Sequence, residues 1–392
     1  MASLAFGVAG LGGFAEPVTN NILETGAGDP AAPQLFAACD PDQQRTAKRA
    51  EFLRGKGVKV LSDFAELLKE PIDAVWLPVP IALHRPFTEQ AVDAGKAVIV
   101  EKPAAGTLEE VDAMIAARDR TKRPVAVGFQ LLFDPSTWAI KRKLLAGAIG
   151  RPRSASVFGC WPRGSVYYQR NSWAGRVRIG DTVVLDSPAN NAMAHYLNLA
   201  LFLLGPTERE SATPVQVEAE LYRANDIENY DTCTLRYTLA DGAKLTVAMT
   251  HACSTETSAA VDITGENGSV HYDSRAPYRM RTPDGEEQFP LPPNLGRNVI
   301  RQFAAYVRGD PKAEYASLEN ARAHTLAVTA ASRATEVLTI DPSHIEEKPY
   351  LSGSIRFIPG IENALRQCAD NGQLLSESGA APWAKAGGSL RL

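Results

Sequence analysis

The stretch that decides the fold lies near the start of the chain and reads Leu4-Ala5-Phe6-Gly7-Val8-Ala9-Gly10-Leu11-Gly12-Gly13-Phe14-Ala15. Its apolar first half predicts a buried β-strand, and the amphipathic residues from Ala15 onward predict a helix. A Gly-x-Gly-x-x-Ala turn between a strand and a helix is typical of a dinucleotide site. Gly10 would make the tight turn, Gly12 would let the backbone approach a pyrophosphate, and Ala15 would fit between helix and strand. An ordinary glycine-rich loop is the alternative.

The alternation of short apolar runs with amphipathic stretches continues to about Gly128. It predicts an α/β domain of the Rossmann type, a doubly wound parallel sheet whose ligand lies at the carboxyl ends of the strands. The predicted strands are Leu4–Ala9, Leu35–Cys39, Ala74–Leu77, Ala97–Val100 and Val125–Val127. The predicted helices are Ala15–Thr25, Asp42–Gly55, Asp63–Lys69, His84–Ala94 and Thr107–Thr121.

The pattern changes after Phe133, where runs of period two such as Gln216–Tyr222 appear. The dipeptides Asp241-Gly242 and Asn267-Gly268 suit two-residue hairpin turns, so this half predicts an antiparallel sheet. Helices are predicted at Ser136–Ala146, Asn298–Val307 and Leu318–Thr335. We therefore expect a dinucleotide-binding domain over 1–130, an α+β substrate and oligomerisation domain over 131–340, and an extension over 341–392. The sequence leaves open whether that extension packs on its own chain or forms an oligomer arm.

The composition excludes several classes of protein. The chain has 392 residues, of which 45% are hydrophobic and 22% charged, as in globular proteins of more than one domain. A net charge of -4 offers no basic surface for nucleic acid, and no run reaches the ~18 apolar residues of a membrane span. The five cysteines are scattered without paired spacing and the six histidines form no ligand set. We expect a reducing cytoplasm and no metal site.

A carboxylate follows the second predicted strand. Asp40 stands where an acidic side chain accepts hydrogen bonds from the adenosine ribose hydroxyls and repels a 2′-phosphate, which favours NAD over NADP. Its distance from Gly10 exceeds the usual ~20 residues, and the loop Gly26–Pro33 accommodates the excess. A turn-forming aspartate before Pro41 is the alternative.

A lysine follows the strand Ala97–Val100, in the sequence Glu101-Lys102-Pro103. The carboxyl edge of a doubly wound sheet is where such folds carry their chemistry. An ammonium group at Lys102 would stabilise a developing alkoxide and lower the pKa of a substrate hydroxyl. A solvated lysine in a strand-to-helix loop is the alternative.

A second polar signal interrupts an apolar helix predicted between Ser187 and Gly205. Ser187 suits the N-cap, and Pro188 after it suits the first helical position. Three polar residues lie at i, i+4 and i+7, and thus on one helix face: Asn191, His195 and Asn198. Buried polar groups need partners, so this face indicates either a polar cleft or a core histidine satisfied by two amides.

Four features in this order resemble the family of glucose-fructose oxidoreductase, inositol dehydrogenase and rhizopine catabolism proteins, written Gfo/Idh/MocA. They are Gly10-x-Gly12-Gly13-x-Ala15, Cys39-Asp40-Pro41-Asp42, Val100-Glu101-Lys102-Pro103, and His195 ahead of Leu203-Leu204-Gly205. The resemblance covers roughly residues 1–340. It implies a nicotinamide domain followed by a large, mostly antiparallel open sheet, whose outer face often builds homodimers or homotetramers. Family members mostly oxidise or reduce one carbon of a sugar, glycoside or cyclitol.

The resemblance implies the site residues. The family lysine falls on Lys102 and its histidine on His195, whereas its aspartate falls on Asn191, whose amide cannot take a proton. His195 would then be the sole general base, unless Asp186 reaches in. The family's Pro-Asn pair is altered to Pro80-Ile81. The residues expected at the cofactor are Gly10, Gly12, Gly13, Phe14, Ala15, Asp40, Pro78, Pro80, His84, Glu101 and Lys102.

Aromatic and polar residues mixed in one segment suit a sugar, because rings stack on its C–H face. The residues expected at the substrate are Trp161, Arg163, Tyr168, Trp173, Asn191 and His195; a loop packed on a neighbouring subunit is the alternative for the first four. The expected function is an NAD-dependent oxidoreductase in which His195 removes a hydroxyl proton, Lys102 steadies the alkoxide and a hydride passes to the nicotinamide. The alternatives are a sugar or dinucleotide sensor without turnover, and a glycosidase or epimerase that uses tightly bound NAD.

Overall fold

A computed structural model describes residues 3–29 and 31–392 of the chain. Met1 and Ala2, at the start of the predicted first domain, and Pro30, in the predicted loop Gly26–Pro33, lie outside the described residues. The chain forms two compact units: Met1–Pro135 with Pro292–Arg322, and Ser136–Leu291 with Ala323–Leu392.

The first unit is built on a parallel sheet of six strands. These are β1 (Ala5–Ala9), β2 (Gln34–Cys39), β3 (Lys59–Leu61), β4 (Ala74–Leu77), β5 (Ala97–Val100) and β6 (Val125–Val127). The helices between them are α1 (Ala15–Gly26), α2 (Ala47–Gly55), α3 (Phe64–Lys69), α4 (His84–Asp93) and α5 (Leu108–Thr121). The strand order β3-β2-β1-β4-β5-β6 confirms the predicted doubly wound sheet. The order in which successive strands are added reverses between β1 and β4, and doubly wound sheets bind their ligands at this point.

The sequence explains these elements locally. Strands β4 and β5 are buried at every residue, as continuous apolar strands of a covered parallel sheet are. Asp63 and Thr107 cap α3 and α5 by accepting hydrogen bonds from the backbone N–H groups of Glu66 and Glu110.

One helix and one strand of the first unit differ from the predictions. The helix predicted from Asp42 begins at Ala47, because Asp42 instead holds a turn by accepting from the N–H groups of Arg45 and Thr46. The short strand β3 was not predicted, since three half-exposed residues carry no clear periodicity.

The remainder of the chain adds seven helices and fourteen strands among the described residues. The helices are α6 (Pro135–Leu145), α7 (Ser165–Gln169), α8 (Ala194–Leu203), α9 (Leu295–Val307), α10 (Leu318–Ala334), α11 (Ile361–Asn371) and α12 (Leu375–Ser378). The strands are β7 (Pro152–Cys160), β8 (Arg178–Ile179), β9 (Thr182–Val183), β10 (Pro214–Arg223), β11 (Thr232–Leu239), β12 (Lys244–Thr250), β13 (Ala260–Gly265), β14 (Ser269–Asp273), β15 (Ala276–Thr282), β16 (Gly285–Phe289), β17 (Val337–Thr339), β18 (Glu346–Tyr350), β19 (Gly353–Phe357) and β20 (Gly388–Arg391).

The second unit is built on an open sheet with the order β16-β15-β14-β13-β7-β12-β11-β10-β17, and β20 also pairs with β10. Only the pairs β7 with β12 and β10 with β17 are parallel, which confirms the predicted mostly antiparallel sheet. Asp241-Gly242 lies in the turn that joins β11 to β12, and Gly242 has a φ of 89°; Asp241 lacks the positive φ of a two-residue hairpin turn, so the loop is longer than predicted.

Helix α9 belongs to the first unit, although the sequence analysis placed it in the segment 131–340. Its buried residues Val299 and Phe303 form an apolar stripe, and the ring of Phe303 lies 6.0 Å from that of Phe6 in β1. The stripe packs the helix beside α1.

The last fifty residues pack on the sheet of their own chain. Helix α11 lies against β7 and β12 through residues such as Ile361 and Leu365. Helix α12 is held by Glu377, which pairs with Arg236 of β11 at 2.7 Å. These contacts make 341–392 an integral layer of the second unit.

None of the helices in the described ranges, 3–29 and 31–392, is long and apolar enough to cross a membrane. All five cysteines are buried free thiols.

Candidate functional site

The glycine turn after β1 has the geometry that its sequence predicts. Gly10 has a φ of 92°, and a Cβ built there would stand 2.9 Å from the carbonyl oxygen of Pro78. A Cβ on Gly12 would meet only the flexible end of Arg45, at 2.7 Å from Nη1, and Gly13 has a φ of 54° with open space around it. Gly10 is therefore required by the fold, whereas at Gly12 only a flexible side chain lies over the backbone.

The next two residues open the helix. Phe14 is 46% exposed, whereas Ala15 is fully buried at the start of α1. The N–H of Ala15 donates to the carbonyl of Gly12 at 3.1 Å. The small residue expected at this position is thus packed between helix and strand.

Asp40 lies at the carboxyl end of β2, beside the glycine turn. Its buried carboxylate accepts hydrogen bonds from the N–H of Leu11 at 2.8 Å and the N–H of Asp42 at 2.9 Å, and Arg45 lies 3.7 Å away. The fold therefore fixes this carboxylate beside the glycine turn, in agreement with its predicted place at the end of the second strand.

Lys102 lies at the carboxyl end of β5, and the Lys102-Pro103 peptide is cis. Behind it, the buried carboxylate of Glu101 accepts from Trp76 Nε1 at 2.9 Å and from the N–H of Lys102 at 3.2 Å. Burial raises the pKa of Glu101 to about 6, against the opposing effect of these donors. Glu101 thus acts as a buried support for the Lys102 segment, a role for which the residue type alone gave no signal.

His84, at the start of α4, joins the loops that follow β4 and β5. Its Nδ1 lies 2.9 Å from the carbonyl oxygen of Pro103, and its Nε2 lies 2.9 Å from that of Val79. Burial lowers the pKa of this imidazole, and the charge of Lys102 lowers it further. Pro78 and Pro80 lie in the first of these loops, half-buried and exposed respectively. His84 therefore positions the loops that carry the expected cofactor residues.

The helix predicted between Ser187 and Gly205 is shorter in the structure. Ser187 does cap a turn, since its hydroxyl accepts from the N–H of Asn190 at 3.3 Å. The N–H of Met193, however, donates to the carbonyl of Pro188 five residues earlier, so the turn is widened and α8 begins only at Ala194. The prediction that Asn191 shares a helix face with His195 and Asn198 is therefore wrong: Asn191 precedes the helix.

Helix α8 carries His195 in its first turn and Asn198 one turn later. Its other end is held by Lys141, whose buried ammonium donates to the carbonyls of Phe202 and Gly205 at 2.6 Å each. Burial lowers the pKa of Lys141 to about 7. The helix that presents His195 is thereby anchored at its carboxyl end.

Asp186 reaches the residue that replaces the family aspartate. Its Oδ1 accepts from Asn191 Nδ2 at 2.7 Å, and its Oδ2 accepts from the N–H of Gly175 at 2.6 Å. Asn191 Nδ2 also donates to the hydroxyl of Tyr167 at 3.4 Å. Because a carboxylate only accepts hydrogen bonds, the NH2 group of Asn191 must face Asp186. Asn191 Oδ1 then points away from Asp186 and can accept a hydrogen bond from another group.

Strand register explains how the aromatic segment after β7 is assembled. Cys160 pairs with Thr250 in the parallel pair of β7 and β12, so Trp161 lies beside His251. The N–H of Arg163 donates to the carbonyl of His251 at 3.1 Å, and His251 Nδ1 lies 2.8 Å from the carbonyl oxygen of Trp161. This pairing joins residues ninety positions apart.

Tyr167 is the centre of this segment, although the sequence predicts its neighbour Tyr168 at the substrate. The Tyr167 ring lies 5.3 Å from that of Tyr168 and 5.9 Å from that of His251. The guanidinium carbons of Arg163 and Arg170 lie 5.0 and 3.5 Å from its centroid. We call Arg163, Tyr167, Tyr168, Arg170 and His251 the Tyr167 cluster.

The two expected tryptophans flank the Tyr167 cluster. The guanidinium carbon of Arg163 lies 5.7 Å from the ring centroid of Trp161, and that of Arg170 lies 4.8 Å from that of Trp173. Among the described residues no group of three or more His, Cys, Asp or Glu side chains could hold a metal ion. Lys102 and the glycine turn lie in the first unit, whereas Asn191, His195 and the Tyr167 cluster lie in the second.

Comparisons with known proteins cover most of the chain. Residues 4–129 match the GFO_IDH_MocA family model, described as an oxidoreductase family with an NAD-binding Rossmann fold. Residues 137–271 match the GFO/IDH/MocA C-terminal domain. The expected NAD cofactor is confirmed at the level of the family's domain.

Curated relatives match parts of the chain. The D-apiose dehydrogenase of Paraburkholderia graminis is 31% identical over 198 residues, which are 48% of each chain. Inositol 2-dehydrogenase 4 of Saccharopolyspora erythraea is 37% identical over 123 residues, 30% of this chain and 35% of the relative. The chain thus spans about half or less of the length of these relatives.

Solved structures share the fold. The WlbA dehydrogenase from Bordetella pertussis, in complex with NADH and UDP-GlcNAcA, has a TM-score of 0.69 at 22% identity, over 84% of this chain and 97% of that one. The UDP-N-acetylglucosamine 3-dehydrogenase GnnA from Acidithiobacillus ferrooxidans has a TM-score of 0.66 at 21% identity, over 84% and 97%.

Proposed function

Because the chain belongs to the GFO/IDH/MocA oxidoreductase family, we propose that it is an NAD-dependent dehydrogenase acting on a hydroxyl-bearing carbon of a sugar, glycoside or cyclitol. The observation that carries this proposal is the edge of the first sheet. The glycine turn, the buried carboxylate of Asp40 and residue Lys102 follow the carboxyl ends of β1, β2 and β5. The names of the relatives, D-apiose dehydrogenase and inositol 2-dehydrogenase, support the substrate class.

The residues present fit the dinucleotide. At Gly12 the nearest atoms belong to the flexible end of Arg45, and Gly13 has open space around it, so a pyrophosphate would meet no fixed protein group at these two residues. Asp40 would hold the ribose hydroxyls, and His84 would keep the loops with Pro78, Pro80, Glu101 and Lys102 in place. When bound, NAD supplies the acceptor for the hydride.

The polar groups of the two units have separate tasks in this proposal. Lys102 would lower the pKa of the substrate hydroxyl and stabilise the alkoxide. His195, in the first turn of α8, would take the proton. Asn191, with its amide oriented by Asp186, would accept a hydrogen bond from a substrate hydroxyl through Oδ1.

The test is reduction of NAD+ by the full chain in the presence of a panel of sugars, glycosides and cyclitols. We expect at least one of them to give the absorbance of reduced nicotinamide, and NADP+ to be used less well because of Asp40. Binding of NAD with no reduction by any member of the panel would contradict the proposal.

One observation favours a second candidate, a sugar or dinucleotide sensor. Asn191 replaces the family aspartate and cannot take a proton. Such a sensor would show a ligand-dependent rise in melting temperature without reduced nicotinamide. The adjacent carboxylate of Asp186 favours the enzyme over this candidate.

A further inference from the structure

Arg163 and Arg170 supply the positive charge of the Tyr167 cluster. Some arginines of the chain lie beside carboxylates, as Arg118 does with Glu319 at 2.6 Å. In the ranges that the structure describes, neither Arg163 nor Arg170 forms an ion pair with a carboxylate. Arg163 Nη1 donates to its neighbour's carbonyl at Pro162, at 3.0 Å, and Arg170 Nη1 donates to the carbonyl of Tyr167 at 2.6 Å. Two guanidinium groups therefore lie close to one ring, each without an ion pair to a carboxylate.

The same cluster holds three buried polar atoms without a hydrogen-bond partner: Arg163 Nε, Tyr168 OH and His251 Nε2. The His251 side chain is only 2% exposed. Such groups are rare in folded proteins, since each has lost water without gaining a partner. Their convergence around Tyr167 indicates a built site whose partners come with a ligand.

Two acidic residues near the cluster accept hydrogen bonds from other groups. Asp186 accepts from Asn191 and Gly175, and Asp231 accepts from the N–H groups of Ala224 and Asn225. Among the described residues, neither carboxylate forms an ion pair with Arg163 or Arg170.

His251 defines a second requirement of the ligand. A carbonyl only accepts, so Nδ1 carries the proton that is donated to Trp161. Burial and the charge of Arg163 lower the pKa of His251 to about 3, which keeps the ring neutral. Its Nε2 is therefore an acceptor, suited to a hydroxyl rather than to an anion.

We propose that the substrate is a sugar acid, whose carboxylate is bound by Arg163 beside the charge of Arg170 and whose neighbouring hydroxyls bind His251 Nε2 and Tyr168. This inference rests on the proposed function, because it names the substrate class of the same site. The hydrogen bond between Tyr167 and Asn191 connects the Tyr167 cluster to the residues assigned to the reaction. A planar guanidinium matches a carboxylate, and the adjacent acceptor matches the C–OH next to it.

The experiment compares matched probes that differ in one group. D-gluconate and D-glucuronate carry the carboxylate, D-glucose lacks it, and D-glucose 6-phosphate carries a different anion. Calorimetry in the presence of NAD+ measures binding, and nicotinamide absorbance measures turnover. We expect a sugar acid to bind tighter than D-glucose and than the phosphate. Arg163→Gln should weaken its binding or raise its KM roughly 10- to 100-fold, and change D-glucose little.

The matched control is Arg178→Gln, an exposed arginine of β8 in the same unit, which should bind and turn over the acid normally. If Arg163→Gln fails to fold, Tyr168→Phe serves instead. It removes a buried hydroxyl without a partner, so the ligand-free melting temperature should stay the same or rise while the acid binds more weakly.

Equal affinity for acid and neutral sugar would overturn the sugar-acid proposal, as would an equal effect of Arg163→Gln on both or a preference for the phosphate. Arg163-dependent binding of an acid without NAD+ reduction would support the substrate class and contradict the dehydrogenase. Absence of both binding and turnover of every acid would overturn the inference.

Discussion

The carboxyl edge of the first sheet, where we expect the cofactor and which we call the cofactor edge, differs from the Tyr167 cluster in the hydrogen bonding of its buried polar groups. Around the glycine turn, Asp40, Glu101 and His84 are hydrogen-bonded to nearby protein groups, mostly of the backbone. In the Tyr167 cluster, Tyr168 and His251 each bury a polar atom without a partner. The first region is complete before any ligand binds, whereas the second is not. We infer that the cofactor edge is preorganised and that the ligand contributes to the stability of the Tyr167 cluster.

The largest effects are expected on turnover, from substitution of Lys102 in the first unit and of His195 in the second. Lys102→Ala in the first and His195→Ala in the second should each lower turnover by about 100- to 10,000-fold, because each removes a polar group from the proton transfer. NAD affinity, measured by calorimetry, should stay close to that of the unaltered protein. The control is Lys48→Ala, an exposed lysine of α2. Near-normal turnover in either variant would exclude that residue from the reaction.

The next prediction tests whether the glycine turn serves folding or the cofactor. Gly12→Ala should leave the melting temperature nearly unchanged, since Arg45 can move aside, but should raise the Kd for NAD roughly tenfold or more. Gly10→Ala should lower the free energy of unfolding by about 1–2 kcal/mol or more, because of its positive φ and the nearby carbonyl of Pro78. Both are measured by thermal unfolding and NAD titration, and equal effects of the two variants on both quantities would contradict the separation.

The two regions also differ in how much of their structure can be predicted from the sequence. The glycine turn is local: an apolar strand, glycines and a helix lie within a dozen residues, so its fold follows from the sequence pattern. Helix α11 has a comparable signal, since its buried residues Ile361, Ala364, Leu365 and Cys368 lie at helical spacing, although no helix is predicted there above.

The Tyr167 cluster depends on contacts far apart in sequence. The neighbours of His251 are set by the register of β7 with β12, and no local pattern specifies that register. The link from Asp186 to Asn191 depends on the widened turn at Pro188, whereas the apolar pattern predicts a continuous helix. The mixture of aromatic and polar residue types is visible in the sequence, but the partners of these side chains are not.

His251 should make stability depend on pH in the second unit. Its pKa is lowered to about 3, so between pH 6.5 and 3 the unfolded chain binds a proton that the folded chain does not. Stability should therefore rise with pH across this window, by about 5 kcal/mol at most. His251→Asn, whose amide can donate to Trp161, should flatten this part of the profile in urea unfolding. The exposed His344→Asn should leave it unchanged, and a His251→Asn profile that matches the unaltered protein would show that His251 titrates normally.

Glu101 should act with the opposite sign in the first unit, and more weakly. Its pKa is raised from 4.5 to about 6, so in this range the folded chain holds a proton that the unfolded chain has lost. Stability should fall as pH rises through the window, by about 2 kcal/mol at most. Glu101→Gln keeps the shape of the protonated carboxyl and should remove this fall, while the exposed Glu109→Gln should not. A fall that persists in Glu101→Gln would mean that the donors from Trp76 and Lys102 outweigh burial and keep the carboxylate ionised.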